Sequence, residues 1–278
     1  MTRGRRFAWV MAYAVVTFLA FPHPLADRTL DLGVAFGWLS PALLILALRD
    51  LGPAAAARWG FLASWLAHTA VLHWIYVVTV VYGHAPPVVG LLAPALLAVY
   101  IGLFGALFGT GLGFLAQRGA ASPLAIAVLW TALDHLRSFA LTGFPWATLG
   151  YAQHLNPWLL PWSAWGGVYA LSFWTALGGA AGAACLARPP DPAARRPPGP
   201  WLALAAVALA HAVFALAPSP ESGARDSVRV AVLQGNIDQG VKWSRSWVER
   251  TFAIYERLTR EAAARRSRRS ARPNCDST

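Results

Sequence analysis

The chain has 278 residues, of which 57% are hydrophobic and only 13% charged, against about 25% charged in an ordinary soluble domain. So few charges cannot clothe that much apolar surface, which excludes a soluble globular enzyme, a disordered chain and a collagen-like fibre and leaves an all-α polytopic membrane bundle. The formal net charge is +11, but the basic residues are read by their position along the spans, and nucleic acid is not a predicted partner.

A spanning helix needs roughly 20 apolar residues. Seven segments are candidates: 7–21, 30–48, 54–82, 88–116, 123–140, 162–187 and 201–217. Breaker chemistry separates them, as in PHP at Pro22–Pro24, HAPP at His84–Pro87 and RPPDPAARRPPGP at Arg188–Pro200. The first segment is short. Its flanking RGRR also permits a signal-peptide reading, or a short hairpin with the second segment, although no A-x-A site follows. With the N-terminus cytoplasmic, one set of flanks holds nine arginines (Arg3, Arg5, Arg6, Arg49, Arg58, Arg118, Arg188, Arg195, Arg196) and the other only Arg28 and Arg137. The positive-inside rule then places everything after the seventh span outside, which in a Gram-negative cell is the periplasm of the inner membrane.

Several residues within the spans invite a functional reading. Asp134, His135 and Arg137 sit at the outer end of the fifth span, where an i,i+3 Asp134–Arg137 pair competes with a role in chemistry. His68 and His73 are five apart, off the spacing of a helical ligand pair, and read as satisfied bundle-interior residues. Gly105, Gly109 and Gly113 form a small-xxx-small face for helix packing, inside the bundle or between chains. Trp146, Tyr151, Trp158, Trp162 and Trp165 crowd the loop between spans five and six. They read as an interfacial aromatic belt, a reading compatible with a floor for lipid.

The composition turns polar at Pro218. Residues 218–227 read as a linker. Val228–Gln234 alternates and is β-branched, which predicts a strand; Gly235–Lys242 is a loop; Ser244–Ala264 has helical periodicity, with Ser244 or Ser246 as the N-cap. A strand, a loop and a helix open an α/β unit too small to bury a core alone. Glu256 and Glu261 near Arg257 and Arg260 read as a solvated face. Cys185 reads as a small packing residue. Cys275 lies in a divergent tail with nothing to position it as a nucleophile. No Cys-x-x-Cys or Cys/His spacing suggests a metal.

Two stretches carry a family likeness. They are LTGFPWATLGYAQHLNPWLLPWSAWGGVYALSFW at Leu141–Trp174 and VRVAVLQGNIDQGVKW at Val228–Trp243. In this order, after five spans, they resemble the apolipoprotein N-acyltransferases of bacterial inner membranes. The resemblance implies a helical bundle carrying a periplasmic nitrilase-like αββα domain, which here would be incomplete. It implies two-step acyl transfer through a cysteine thioester, from phosphatidylethanolamine to the N-terminal amine of a diacylglyceryl-cysteine lipoprotein, without metal or dissociable cofactor. It marks Trp146, Tyr151, Gln234, Gly235 and Trp243 as candidate substrate-binding residues. The glutamate, lysine and cysteine of the family's chemistry have no counterpart here, so no catalytic residue is assigned and the chain is expected to be truncated and inactive alone. Residues 265–278 read as a divergent basic tail, with a frameshift as the expected origin. The alternative is a non-enzymatic, lipid-binding scaffold that retains the bundle.

Overall fold

Polar caps and proline punctuation set the helix boundaries in the structure, a computed structural model describing residues 1–187, 197–216, 230–242 and 244–270, with 265–270 given by backbone alone. Thr2 caps helix α1 (Arg3–Leu19) by accepting from the Arg5 amide. The PHP breaker then turns the chain into an antiparallel hairpin of β1 (His23–Leu25) and β2 (Arg28–Leu30), with His23 opposite Leu30 and Ala26 in the left-handed region at the turn. Helix α2 (Gly33–Leu48) is apolar on every side, and it is buried from Ala42 to Leu48 apart from half-buried Leu43. Arg6 is buried beside it and donates to the Ala47 and Arg49 carbonyls at 2.9 and 3.4 Å. A cation thus meets the unpaired carbonyls that end α2.

Helix α3 (Pro53–Val71) lies along α4 (Pro87–Gln117). Small residues let the backbones touch: a Cβ on Gly109 would strike the Ala56 carbonyl, and one on Gly113 would meet Pro53. The glycine stripe therefore packs within the chain. The predicted segment over 54–82 is not one regular helix. Regular α-helix stops at Val71 and passes into a tight 3-10 turn (Leu72–Trp74) and a wide π turn (Val77–Tyr82). The run Val77–Val81 is β-branched except at no position, which crowds a regular helix, and Thr79 bonds back to the Ile75 carbonyl at 2.9 Å.

Ser122 caps α5 (Pro123–Arg137), which ends three residues before the predicted boundary because the chain turns into left-handed conformations at Leu141, Thr142 and Gly143. A loop with short 3-10 turns at Leu149–Gln153 and Leu160–Trp162 leads into α6 (Ser163–Leu186), which is broken at Gly166 and Gly167. Helix α7 (Gly199–Ala215) packs on α6. The main core joins Val10 and Tyr13 of α1, Leu44–Leu48 of α2, Ala63 and Ala67 of α3, Phe108 and Leu112 of α4 and Ala180 of α6. Among the described helices, Pro87–Gln117 and Leu160–Leu186 are long and apolar enough to cross a membrane; Gly33–Leu48 and Gly199–Ala215 are apolar but shorter.

The chain divides into the unit Met1–Ala217 and a second unit, Pro218–Thr278. In the second, the predicted strand over 228–234 is corrected for its described part. Residues 230–234 are irregular, and Val230 and Val232 are 78% and 90% exposed. No described segment of this unit offers a ladder to pair with, and an unpaired strand is not stable in isolation. Val228 and Arg229 lie outside the described residues, as do the predicted linker and residues 271–278, including Cys275. A one-turn helix α8 (Gln239–Lys242) follows, its start held by Asp238, which accepts from the Gly240 amide at 2.8 Å. The predicted amphipathic helix is α9 (Val248–Ser270). It begins later than expected, after a 3-10 turn at Arg245–Trp247, which Ser244 precedes without a side-chain cap bond. Glu256–Arg260 and Arg257–Glu261 form i,i+4 pairs at 2.5 and 3.2 Å on its exposed face.

Candidate functional site

Arg137 closes α5 and is only 3% exposed. Its Nη1 donates to the carbonyls of Phe144 at 3.2 Å and Trp146 at 2.7 Å. Its Nη2 donates to Asp134 Oδ1 at 3.2 Å and Thr148 Oγ1 at 3.4 Å. Asp134 Oδ2 accepts from Ser172 Oγ at 2.9 Å, and that hydroxyl accepts the Gly150 amide at 2.9 Å. The Asp134–Arg137 pair expected from the sequence is thus present, but it does not snorkel to solvent. It is buried, and its bonding capacity is widely satisfied, the condition under which a buried ion pair is tolerated. Tyr100 of α4 adds a hydroxyl 3.0 Å from the Arg137 carbonyl and 2.8 Å from that of Ala140.

These bonds hold a bent segment. Leu141, Thr142, Gly143 and Ala147 all have φ between 50° and 78°. Only glycine adopts such angles freely, and at Gly143 a Cβ would also strike the Ser138 carbonyl. The rest of the loop is tied to other helices. Gln153 and Asn156 are buried; Asn156 Nδ2 bonds Gln153 Oε1 at 3.0 Å and lies 3.2 Å from His211 Nε2 on α7. The Trp162 indole donates to the Ala210 carbonyl at 3.0 Å, and His154 meets Asp31 at 3.2 Å.

On this frame Trp146 and Tyr151 stand 51% and 48% exposed. The Trp146 ring lies 5.0 Å from Trp74 and 6.4 Å from Phe144. Together the three rings make an apolar shelf with one open side. Trp158 and Trp165 are also exposed, whereas Trp162 is partly buried. Gln234 and Gly235 belong to the second unit, where Gly235 sits against the Tyr255 ring and Gln234 is exposed. Trp243 lies outside the described residues. Sequence reasoning missed Trp74, Tyr100, Thr148 and Ser172. Their partners lie far along the chain or across a bend, so no periodicity could single them out.

Beside the network a small cavity of about 60 Å³ opens among α1 to α5. Thr17, Ser40, Ser64, His68, Asp134 and Arg137 give it polar walls among leucine and phenylalanine side chains. Thr17 and Ser40 share a 2.7 Å hydrogen bond, and His68 Nδ1 lies 2.8 Å from the Ser64 carbonyl. His68 is therefore a bonded interior residue; His73, in contrast, is exposed in the turn after α3. Among the described residues no three His, Cys, Asp or Glu side chains gather as metal ligands would. Cys185 sits at the far end of α6, roughly 30 Å along the helix from the loop. The loop thus presents half-exposed rings on a fixed backbone, with no thiol beside it among the described residues.

The family description that matches residues 9–181 is the apolipoprotein N-acyltransferase N-terminal domain. The chain is similar to a curated apolipoprotein N-acyltransferase of Geobacter metallireducens, 35% identical over 269 residues, covering 94% of this chain and 49% of the relative. It is also similar to proteins of that name from Azotobacter vinelandii (35% over 254 residues, 87% and 46%) and Nitrosomonas europaea (35% over 228 residues, 80% and 44%). The chain spans about half the length of the curated relatives it matches. The matched residues run from within α1 to within α6 and include the whole Arg137-held loop, and the chain belongs to the apolipoprotein N-acyltransferase family.

Proposed function

We propose that this chain is the membrane platform of a lipoprotein N-acyltransferase, with Trp146 and Tyr151 forming the floor on which lipid substrates lie. In this reading residues 1–217 cross the inner membrane seven times with the N-terminus in the cytoplasm. Residues 218–227 link to the periplasmic start of a nitrilase-like domain at 228–264, in which Gln234, Gly235 and Trp243 face the substrate, and residues 265–278 are a basic tail. The donor is phosphatidylethanolamine: a thiolate attacks its ester carbonyl, forming a thioester and releasing the lysophospholipid. The α-amine of a diacylglyceryl-cysteine lipoprotein then attacks the thioester, forming the amide and returning the thiol. No residue of this chain is assigned the thiol, the base or the oxyanion donor, so the chain's own contribution is binding and orientation.

The observation that supports this reading is the half-exposed aromatic shelf on a loop fixed by buried charge, within the matched family region. Complementation tests it. The chain is joined after Ala264 to the remaining part of the Geobacter metallireducens relative and expressed in cells depleted of their own N-acyltransferase. We expect this chimera to restore the third acyl chain on lipoprotein N-termini, and the 278-residue chain alone to leave them diacylated. A chimera that inserts in the membrane but acylates nothing refutes the platform. Acylation by the 278-residue chain alone refutes the assignment of binding without catalysis.

A further inference from the structure

We infer that Arg137 is a positioning residue, which holds Trp146 in place for its lipid by clamping the backbone of the loop. The inference rests on the lipid-floor reading for its purpose but on the loop's own geometry for its substance. Arg137 spends one nitrogen, Nη1, on two consecutive-turn carbonyls, those of Phe144 and Trp146, at 3.2 and 2.7 Å. An ion pair kept only to hold helices together needs neither contact. The second nitrogen reaches Thr148, whose hydroxyl also bonds the Pro145 carbonyl at 2.7 Å. Every residue from Phe144 to Thr148 except Ala147 is therefore tied, through a main-chain or side-chain oxygen, to this one cluster.

The backbone here needs such a tie. Ala147 has φ of 56°, Leu141 of 50° and Thr142 of 77°, conformations that residues with a Cβ hold only when their surroundings dictate them. The guanidinium supplies that constraint because its planar fork can bond several oxygens at once and stays charged when buried. Asp134 and Ser172 orient the fork from the far side, through contacts of 3.2 and 2.9 Å. Burial removes competing water, so the clamp is directional as well as strong. What emerges from it into the open is the Trp146 ring, half-exposed against Trp74.

Fluorine NMR of the full chain, labelled with 5-fluorotryptophan in lipid nanodiscs, tests the clamp, with the Trp146 line assigned by its loss in Trp146→Phe. Arg137→Lys keeps the charge opposite Asp134, but one nitrogen with three N–H groups cannot serve the four oxygens that the two guanidinium nitrogens hold. We expect the Trp146 line to broaden or split, with the wild-type position losing at least about tenfold in population relative to the alternatives. Unfolding in denaturing detergent is followed in parallel. A lowered unfolding midpoint with an unchanged Trp146 line marks Arg137 as purely structural and overturns the inference. Should Arg137→Lys fail to fold, Thr148→Val removes one arm of the cluster at constant shape; a smaller split supports the clamp and an unmoved line overturns it. Adding phosphatidylethanolamine to wild-type nanodiscs is a separate arm. A Trp146 line indifferent to that lipid defeats the floor reading, while the Arg137→Lys spectrum still decides the clamp.

Discussion

Replacing Gly109 by alanine should weaken the bundle, although alanine is the better helix former. The new Cβ would lie against the Ala56 carbonyl, 2.6 Å from its carbon and 3.1 Å from the Ala57 nitrogen. These are backbone atoms and cannot rotate away, so α3 and α4 must separate along their seam. Overpacking of this kind costs about 1–3 kcal/mol, and the gain in helix propensity returns about 0.5–1 kcal/mol. The net loss then lies between about 0 and 2.5 kcal/mol. Gly182 on α6 is the control: nothing lies within 4 Å of its Cβ position, and Gly182→Ala should gain up to about 1 kcal/mol. Reversible unfolding of both variants in mixed micelles, followed by helical circular dichroism, measures the difference. The Gly105→Ala, Gly109→Ala double variant should lose less than the sum of its parts, because one separation of the helices relieves both sites. Equal stabilities for Gly109→Ala and Gly182→Ala would refute the backbone-contact argument.

Asp134→Ala leaves the Arg137 cation buried without its carboxylate and should cost about 3–5 kcal/mol, and the Asp134→Ala, Arg137→Met double variant should recover a large part of it; the same unfolding measurement reads both. Arg6→Ala removes the donor to the Ala47 and Arg49 carbonyls and should cost about 1–2 kcal/mol, whereas Arg5→Ala, on the exposed side of α1, should stay within about 0.5 kcal/mol of wild type. A double-mutant cycle on Glu256 and Arg260 should give a coupling of about 0.3–0.5 kcal/mol that fades in high salt, as for other exposed helix pairs. In the complementing chimera, Trp146→Ala should lower the acylated fraction of lipoproteins while costing only about 1–2 kcal/mol of stability, since half of that residue is already exposed.

Helix positions were legible because composition and punctuation are local. Pro53, Pro87 and Pro123 start α3, α4 and α5, and proline at the first helical turn is favoured for reasons a sequence displays directly. Hydropathy carries the helix over 54–82 too far, because it cannot distinguish an apolar helix from an apolar, β-branched turn. The predicted strand at 228–234 failed over its described residues for a different reason: alternation proposes a strand, but only a partner ladder makes one. At the site, Asp134 and Arg137 could be paired from their i,i+3 spacing. Their burial could not be read that way, since it comes from Ser172, Thr148 and Tyr100 reaching in from other elements. Arg6 reads from the sequence only as one of the flanking arginines that set orientation; its burial is not legible there because its partners lie 41 and 43 residues away.

The bonds from α7 to the loop bear on the order in which the molecule is made. Asn156 and Trp162 are synthesised well before the residues that satisfy them, His211 and the Ala210 carbonyl. Until α7 docks, a nascent chain carries the Trp162 indole without its acceptor and the Asn156 amide with Gln153 alone of its two side-chain partners. Docking of α7 therefore completes the shelf-bearing loop, and a chain stalled before Gly199 would expose to quality-control machinery the polar groups that α7 satisfies.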